Sequence, residues 1–205
     1  MPPSVMSTCE PIARNLTAER TGRKAWDKCL EYQNKLIYPC RESNTPSGGM
    51  IRLNLCNRKP DSLIIGGEDA YEGEFPHMVL LGYANGTSEK NWGCGGVLVS
   101  ERFILTAGHC IYSKEFYAPN SRGMRHMKQG YNGTTQICFG DWHKKKDSCN
   151  GDSGGPVQIK HPQIYCMYSV IGITSWGREC GHPGQPAIYT RVAAYIPWIE
   201  SIVWP

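Results

Sequence analysis

The sequence predicts an all-β fold closed by a C-terminal helix. Short β-prone runs lie at 75–82, 92–99 and 170–177, and turn residues separate them. Short runs of this kind are typical of antiparallel sheets. Between Tyr195 and Val203 the apolar residues instead recur at helical spacing, and Pro197 suits the first turn of a helix.

The composition favours a secreted protein of one or two domains. The chain has 205 residues, ten cysteines and a net charge of +4 that is spread along it, and N-glycosylation sequons begin at Asn15, Asn85 and Asn132. Disulfides and glycans belong to an oxidising secretory route. A modest, dispersed charge argues against nucleic acid as a partner. Because the sequence has no Cys-X2-Cys pair and no long apolar span, we expect no metal, no cofactor and no membrane partner.

A secretory leader is not visible at the start of the chain. The residues from Met1 to Cys9 contain no apolar stretch of the roughly 7–15 residues that a signal peptide needs. We expect the leader to lie upstream of Met1; the alternative is export by another route.

The ten residues from Asp147 to Pro156 read Asp-Ser-Cys-Asn-Gly-Asp-Ser-Gly-Gly-Pro. Such a segment suits neither a core nor a regular element, so it predicts a tight, exposed turn. In that turn the N–H groups of Gly151 and Ser153 can converge on one point, where each would stabilise a developing oxyanion by about 2.7–4 kcal/mol. This arrangement favours acyl transfer at Ser153, and a glycine-rich surface loop is the alternative.

The segment resembles the nucleophile loop of the chymotrypsin-like serine proteases, trypsin branch. The resemblance implies a chymotrypsin-like double antiparallel β-barrel with Ser153 as nucleophile and with Gly151 and Ser153 as the oxyanion hole. It places Asp147 at the bottom of the primary specificity pocket, where a substrate Lys or Arg would neutralise the carboxylate. It also makes Asp152 the partner of the new N-terminus that zymogen cleavage creates.

The segment from Ile64 to Ala70, Ile-Ile-Gly-Gly-Glu-Asp-Ala, is similar to the activation sequence of this family. Cleavage between Leu63 and Ile64 would create an ammonium group that pairs with Asp152 while the glycines let the strand pivot. Because Leu63 lies on the acyl side, the activating protease must have apolar specificity. The alternative is a buried strand residue before a glycine turn. We therefore expect a pro-segment at 1–63 and a protease domain at 64–205.

Residues 1–63 are polar and without clear periodicity, and they hold Cys9, Cys29, Cys40 and Cys56. This composition predicts a loop-rich pro-segment. The residues 28–32, Lys-Cys-Leu-Glu-Tyr, resemble the linker of snake-like clip-domain zymogens of arthropods, although the clip module itself is not visible. The alternative is a disordered tail with free thiols.

His109 ends the segment Phe-Ile-Leu-Thr-Ala-Gly-His, which Cys110 follows. The segment resembles the histidine motif of the family, and this makes His109 the general base. In isolation, a histidine in such a place is more often structural. The resemblance also implies the disulfides Cys94–Cys110 and Cys149–Cys180.

The walls of the specificity pocket are the last elements that the resemblance assigns. It gives one wall to Ser175, Trp176 and Gly177 and the opposite wall to Ala187. Ala187 stands where trypsin-like enzymes usually have glycine, so its methyl group would narrow the pocket; the alternative is that the methyl merely packs.

The catalytic Asp is not found. It should lie between His109 and Ser153. From Ile111 to Ser148 the only aspartates are Asp141 and Asp147, and neither matches the family position. We predict an internal truncation between about 113 and 128 that removes roughly ninety residues from a two-barrel domain. The usual partners of Cys138, Cys166 and one pro-segment cysteine would be lost with it. The pairing of Cys9, Cys29, Cys40, Cys56, Cys138 and Cys166 therefore stays open.

The sequence thus predicts an extracellular trypsin-like serine endopeptidase zymogen that cleaves after Lys or Arg. This chain is expected to be inactive or impaired, because the segment that carries the catalytic Asp is missing. Its expected partners are protein substrates, the upstream activating protease and serpin inhibitors. The alternative is a non-catalytic serine protease homologue with a binding or regulatory role.

Overall fold

The computed structural model describes residues 8–44, 48–56, 70–84, 90–111, 130–140, 143, 147–149, 151–177, 183 and 186–205. The chain forms two compact units. One contains residues 1–59, 159–169 and 204, and the other contains residues 60–158, 170–203 and 205.

The first unit is built from one helix and one short hairpin. Helix α1 spans Lys24–Tyr32 and continues into a π-helical turn, Gln33–Ile37. The Asp27 carboxylate accepts the backbone N–H groups of Thr21 and Gly22 at 3.0 and 3.2 Å, which ties down the chain that enters the helix. Strands β1 (Cys40–Glu42) and β2 (Met50–Arg52) pair antiparallel. None of these elements was predicted from the sequence.

Segment 159–169 packs into the first unit around Gln33. Gln33 is fully buried, and its side-chain amide donates to the carbonyl oxygens of Leu16 at 2.7 Å and Tyr165 at 2.9 Å. The Tyr165 N–H donates to the Leu16 carbonyl at 2.9 Å. These bonds satisfy main-chain groups that a buried loop would otherwise leave unpaired.

Two disulfides close the first unit, Cys9–Cys40 and Cys56–Cys166. The alternative of a tail with free thiols is therefore wrong. The expectation that the pro-segment cysteine and Cys166 lose their partners is also wrong, because Cys56 and Cys166 pair with each other. Six cysteines were left without an assigned partner by the sequence. Of these six, only Cys29 and Cys138 have free thiols in the structure.

The second unit contains two antiparallel sheets. The three-stranded sheet has the order β3-β4-β5 and the four-stranded sheet has the order β6-β9-β8-β7. The strand bounds are Met78–Ala84 (β3), Lys90–Leu98 (β4), Ile104–Leu105 (β5), Gln136–Phe139 (β6), Pro156–Lys160 (β7), Tyr168–Trp176 (β8) and Ala187–Arg191 (β9). The chain ends in a 3-10 turn, Val192–Tyr195, followed by helix α2, Ile196–Val203. The predicted all-β fold with a C-terminal helix is confirmed.

The core of the second unit lies around the Cys94–Cys110 disulfide. The buried residues that share it are Cys94, Val97, Ala107, Cys110, Ile173 and Val192, and Ile199 of α2 packs against them. Neither sheet closes into a barrel within the described part of the chain. Large apolar side chains therefore remain exposed on the three-stranded sheet, such as Leu80 and Trp92. None of the described helices has the length and apolar character that crossing a membrane requires.

Candidate active site

Ser153 lies in a loop of two successive turns, each closed by a main-chain hydrogen bond. The Asp152 N–H donates to the Cys149 carbonyl at 3.0 Å, and the Asp152 carboxylate accepts the Cys149 N–H at 2.7 Å. The Gly155 N–H then donates to the Asp152 carbonyl at 2.8 Å. Gly151 has a φ of +103°, a conformation that glycine adopts without strain. Ser153 is half-buried within this turn.

Main-chain hydrogen bonds fix the loop between strands of the two sheets. The Ser153 carbonyl accepts the N–H of Gly95 in β4 at 2.8 Å. Gly154 and Gly155 exchange hydrogen bonds with Thr174 in β8 at 2.8 and 2.9 Å. The loop that carries Ser153 is therefore positioned by regular backbone on both sides, which is the support that a preorganised site needs.

The four-residue 3-10 turn Gly108–Ile111, just after β5, carries His109. Three contacts hold the turn at Cys110: the disulfide to Cys94, an N–H bond to the Ala107 carbonyl at 2.9 Å, and the Tyr83 hydroxyl, which donates to the Cys110 carbonyl at 2.6 Å. His109 itself is exposed, yet partial desolvation by the surrounding chain lowers its pKa from the ordinary 6.5.

A ring nitrogen of His109 and the sulfurs of Cys94 and Cys110 all lie within 4.8 Å of one another. The two sulfurs are bonded to each other, so they cannot serve as thiolate ligands to a metal ion. The cluster instead sets the imidazole beside the disulfide.

The turn that carries His109 contacts the loop that carries Ser153 through Cys110. The Cys110 sulfur lies 3.6 Å from the Ser153 carbonyl oxygen. Among the described residues no hydrogen bond joins the imidazole to the Ser153 hydroxyl, and none supplies a carboxylate to the imidazole. Asp141, one of the two aspartates considered from the sequence, lies outside the described residues, and Asp147 is 7 % exposed.

The backbone donors expected to form the oxyanion hole are the N–H groups of Gly151 and Ser153. No residue that the structure describes accepts the N–H of Gly151 or Ser153, and Gly151 is exposed. The assignment of these two N–H groups to an oxyanion hole stays a prediction.

The residues predicted for the specificity pocket lie on three segments of the second unit. Asp147 and the neighbouring Ser148 approach Tyr189 of β9, whose hydroxyl is 3.1 Å from the Ser148 hydroxyl. Burial raises the pKa of Tyr189, and the charges of Asp147 and Asp152 act in the same direction, against the hydrogen bond from Ser148. The carboxylates of Asp147 and Asp152 therefore both raise the pKa of the Tyr189 hydroxyl.

The two predicted walls are adjacent strands. Ser175 lies at a register shift in β8, and Trp176 pairs with Ile188 of β9. A Cβ atom added to Gly177 would lie 3.6 Å from the Ala187 Cβ. Ala187 is 1 % exposed, so its methyl group is buried.

The remaining predicted residues divide into two groups. Asn15 and Asn132 are exposed, as a glycan acceptor requires, and Cys149 is disulfide-bonded. Leu63, Ile64, Asn85 and Cys180 lie outside the described residues.

Two supporting residues of the site were not predicted from the sequence. Tyr83 lies under the His109 turn, and the Thr106 hydroxyl donates to the Gly95 carbonyl at 2.8 Å. No local pattern marks either residue, because both act through contacts distant in sequence.

The open antiparallel sheets, the C-terminal helix, the turn at Ser153 and the disulfide-bound turn at His109 define a protein of the trypsin-like serine protease class. Comparison with protein families agrees: the family model described as Trypsin matches residues 64–129 and 116–199. The chain belongs to the trypsin family.

Three relatives extend this comparison. The chain is 26 % identical to "Serine protease snk" of Drosophila melanogaster over 305 residues, covering 96 % of this chain and 68 % of that protein. It is 24 % identical to "Phenoloxidase-activating factor 3" of Holotrichia diomphalia, covering 80 % of this chain and 82 % of that protein. It is 44 % identical over 69 residues to "Hepatocyte growth factor activator serine proteases" of Canis lupus familiaris, covering 34 % of this chain and 10 % of that protein. The resemblance to arthropod clip-domain proteases is thus supported by named relatives.

Proposed function

We propose that this chain is a form of an extracellular serine endopeptidase zymogen that cleaves proteins after Lys or Arg. Ser153 is the nucleophile, His109 the general base, and the N–H groups of Gly151 and Ser153 bind the oxyanion. The observation that carries this proposal is the approach of the Cys110 sulfur to the Ser153 carbonyl at 3.6 Å. That contact brings the turn that carries His109 against the loop that carries Ser153, and no residue among those the structure describes accepts the two expected oxyanion donors.

Specificity rests on Asp147. Its burial and its position near Tyr189 support a carboxylate set back from solvent, where a substrate cation would compensate the charge. Ser175, Trp176 and Gly177 bind the extended substrate backbone, and Ala187 forms the opposite wall.

Activation requires cleavage between Leu63 and Ile64 by a protease of apolar specificity. In the uncut chain, the Asp152 carboxylate accepts the Cys149 N–H at 2.7 Å, so it is engaged within its own loop. Cleavage would offer it the ammonium group of Ile64, and the exchange of partners would reshape the loop around Ser153. Residues 1–63 are accordingly a pro-segment and residues 64–205 the protease domain. Serpin inhibitors are expected partners of the cleaved form.

This chain is expected to be severely impaired, because no described carboxylate orients His109. In the template of this family, replacing the triad Asp by Asn lowers turnover about 10⁴-fold. An internal truncation between about 113 and 128 explains the loss. The alignment with the snk protein runs over 305 positions although the chain has 205 residues, so at least about 100 positions have no residue of this chain opposite them.

The missing carboxylate also favours a second function, that of a non-catalytic protease homologue that binds or regulates another protein. Retention of Ser153, His109 and Asp147 argues against it, because a binding role needs none of these groups. The two functions differ in one measurable property, the reactivity of Ser153.

The test uses a fluorophosphonate probe, which labels an activated serine covalently. Full-length protein is labelled before and after cleavage at Leu63, with Ser153→Ala and His109→Ala as matched controls. The endopeptidase proposal expects slow labelling of Ser153 that rises after cleavage and is lost in both variants. Labelling that is absent from the cleaved protein, or equal in His109→Ala, would favour the binding role. Sequencing of transcripts across the codons for residues 109–130 then shows whether a longer form carries the missing Asp.

A further inference from the structure

Strand β6 forms an open edge of the four-stranded sheet, because β9 is its only neighbour among the described strands. The Arg191 N–H donates to the Thr135 carbonyl at 2.8 Å, and the register continues with Ile137 opposite Tyr189. In an antiparallel pair, alternate residues exchange both main-chain hydrogen bonds with the neighbouring strand. Thr135 and Ile137 therefore bond to β9, and the N–H and C=O of Cys138 face outward. No described residue bonds to them.

The side chains along this edge lack the usual protection against pairing. Natural edge strands are blunted by charged residues, proline or bulges. The residues of β6 are Gln-Ile-Cys-Phe, with neither a charge nor a proline. The Cys138 thiol is free and exposed, and Phe139 is 59 % exposed.

We propose that β6 pairs with the β6 strand of a second copy of this chain, antiparallel about a two-fold axis at Cys138, and that a disulfide joins the two Cys138 sulfurs. The pairing is isologous, since the same surface serves both copies. It places Cys138 opposite the other Cys138 and Ile137 opposite the other copy's Phe139. Such a dimer goes beyond the proteolytic function and does not depend on it.

The geometry of such a pair suits a disulfide. Because the main-chain groups of Cys138 face outward, the two Cys138 residues form a hydrogen-bonded pair with Cα atoms about 5.5 Å apart. Disulfides span Cα separations of about 4.4–6.8 Å. The flanking Ile137 and Phe139 form the closer, non-hydrogen-bonded pairs, so each copy covers the exposed Phe139 of the other. Only a second copy offers identical groups in the reciprocal positions.

The covalent step needs an oxidant, which a small-molecule disulfide such as oxidised glutathione supplies. The Cys138 thiolate of one copy attacks the glutathione disulfide, forms a mixed disulfide and releases one glutathione thiolate. The Cys138 thiolate of the second copy attacks the protein sulfur of that mixed disulfide and releases the second. Two protein thiols are oxidised by two electrons, and one glutathione disulfide is reduced to two thiols. The other free thiol, that of Cys29, is a poor nucleophile for this exchange. Burial raises the pKa of Cys29 to about 11, so the thiol stays protonated.

The test measures the molar mass of the full chain by light scattering after equilibration in a glutathione redox buffer, followed by mass spectrometry of non-reduced peptides. We expect twice the monomer mass and a peptide cross-linked through Cys138 in both copies. Cys29→Ser is the matched control and keeps the dimer. Cys138→Ala loses the covalent link but retains a weaker, concentration-dependent dimer. Cys138→Lys is monomeric at every concentration tested, because like charges then face each other across the axis.

Three results would overturn the proposal. One is a monomer whose Cys138 ends as a glutathione mixed disulfide. Another is a dimer linked through Cys29, or Cys138 bonded within its own chain. The third is equal self-association of Cys138→Ala and Cys138→Lys, which would show that the copies do not pair through β6.

Discussion

The Cys110 sulfur and the Ser153 carbonyl oxygen are 3.6 Å apart, and β4 lies behind both. Cys94 of β4 forms the disulfide to Cys110, and the next residue, Gly95, donates its N–H to the Ser153 carbonyl at 2.8 Å. One strand therefore positions the histidine turn through a covalent bond and the nucleophile loop through a hydrogen bond. The turn that carries His109 and the loop that carries Ser153 are therefore both attached to this strand.

Replacing Gly154 with alanine should break this arrangement. Gly154 has a φ of +79°, and an added Cβ would clash with the Thr106 hydroxyl and the Gly95 carbonyl. We expect Gly154→Ala to destabilise the protein by more than about 2 kcal/mol, since the positive φ alone costs about 1–3 kcal/mol for a residue with a side chain. Urea unfolding measures the change. Gly108→Ala is the control, because nothing lies within 4 Å of an added Cβ there, and its effect should stay within about 1 kcal/mol. Equal effects of the two variants would contradict this explanation.

Local sequence signals predicted the parts of the site that backbone conformation determines. The glycines around Ser153 indicated a turn, and two of them, Gly151 and Gly154, adopt a positive φ that residues with a side chain rarely adopt. The periodicity of 195–203 likewise indicated α2. The Trp26, Cys29 and Leu30 spacing in α1 was a usable signal for the helix that we did not predict. Cys56–Cys166, in contrast, joins positions 110 residues apart, and no local pattern carries such a pairing.

The Ala187 methyl group should control the affinity of the pocket for cations. We expect Ala187→Gly to bind benzamidine, a small cationic ligand, about tenfold more tightly, because one methylene in a pocket changes discrimination by about 10–200-fold. Titration calorimetry or displacement of a fluorescent analogue measures this. Asp147→Asn should abolish binding in both backgrounds, and the exposed Ala194 supplies the control variant Ala194→Gly. Unchanged affinity in Ala187→Gly would mean that the methyl only packs.

The two disulfides of the first unit should contribute unequally to stability. They close loops of 110 and 31 residues, and the chain-entropy relation gives about 4.8 and about 3.7 kcal/mol for these lengths. We therefore expect the double variant Cys56→Ser/Cys166→Ser to lose more stability than Cys9→Ser/Cys40→Ser. Denaturant unfolding of the two variants under identical redox conditions compares them. A larger loss from the shorter loop would show that native contacts, and not loop closure, dominate.

Stability should also fall on mild acidification, and His161 is one cause. Its Nδ1 accepts the N–H groups of Gln163 at 3.2 Å and Ile164 at 3.0 Å, and its ring contacts Trp26 edge-on at 5.2 Å. Burial lowers the pKa of His161 from the ordinary 6.5. The unfolded chain therefore takes up this proton more readily than the folded chain. The contribution of the neutral His161 imidazole to the free energy of unfolding is complete above pH 6.5. It is lost as the pH falls from 6.5 through the lower pKa that His161 has in the folded chain.

His161→Gln is the variant that isolates this effect, because glutamine can still accept a backbone N–H but does not titrate. Burial also lowers the pKa of His77 and His109, so part of the acid sensitivity remains in the variant. Urea unfolding at pH 7.5 and pH 5.5 should show a smaller loss of stability in His161→Gln than in the unmodified chain. Hydrogen exchange of the amides of residues 159–169 follows the unit to which His161 belongs. If the two proteins lose the same stability between these pH values, the His161 imidazole does not couple folding of this unit to protonation.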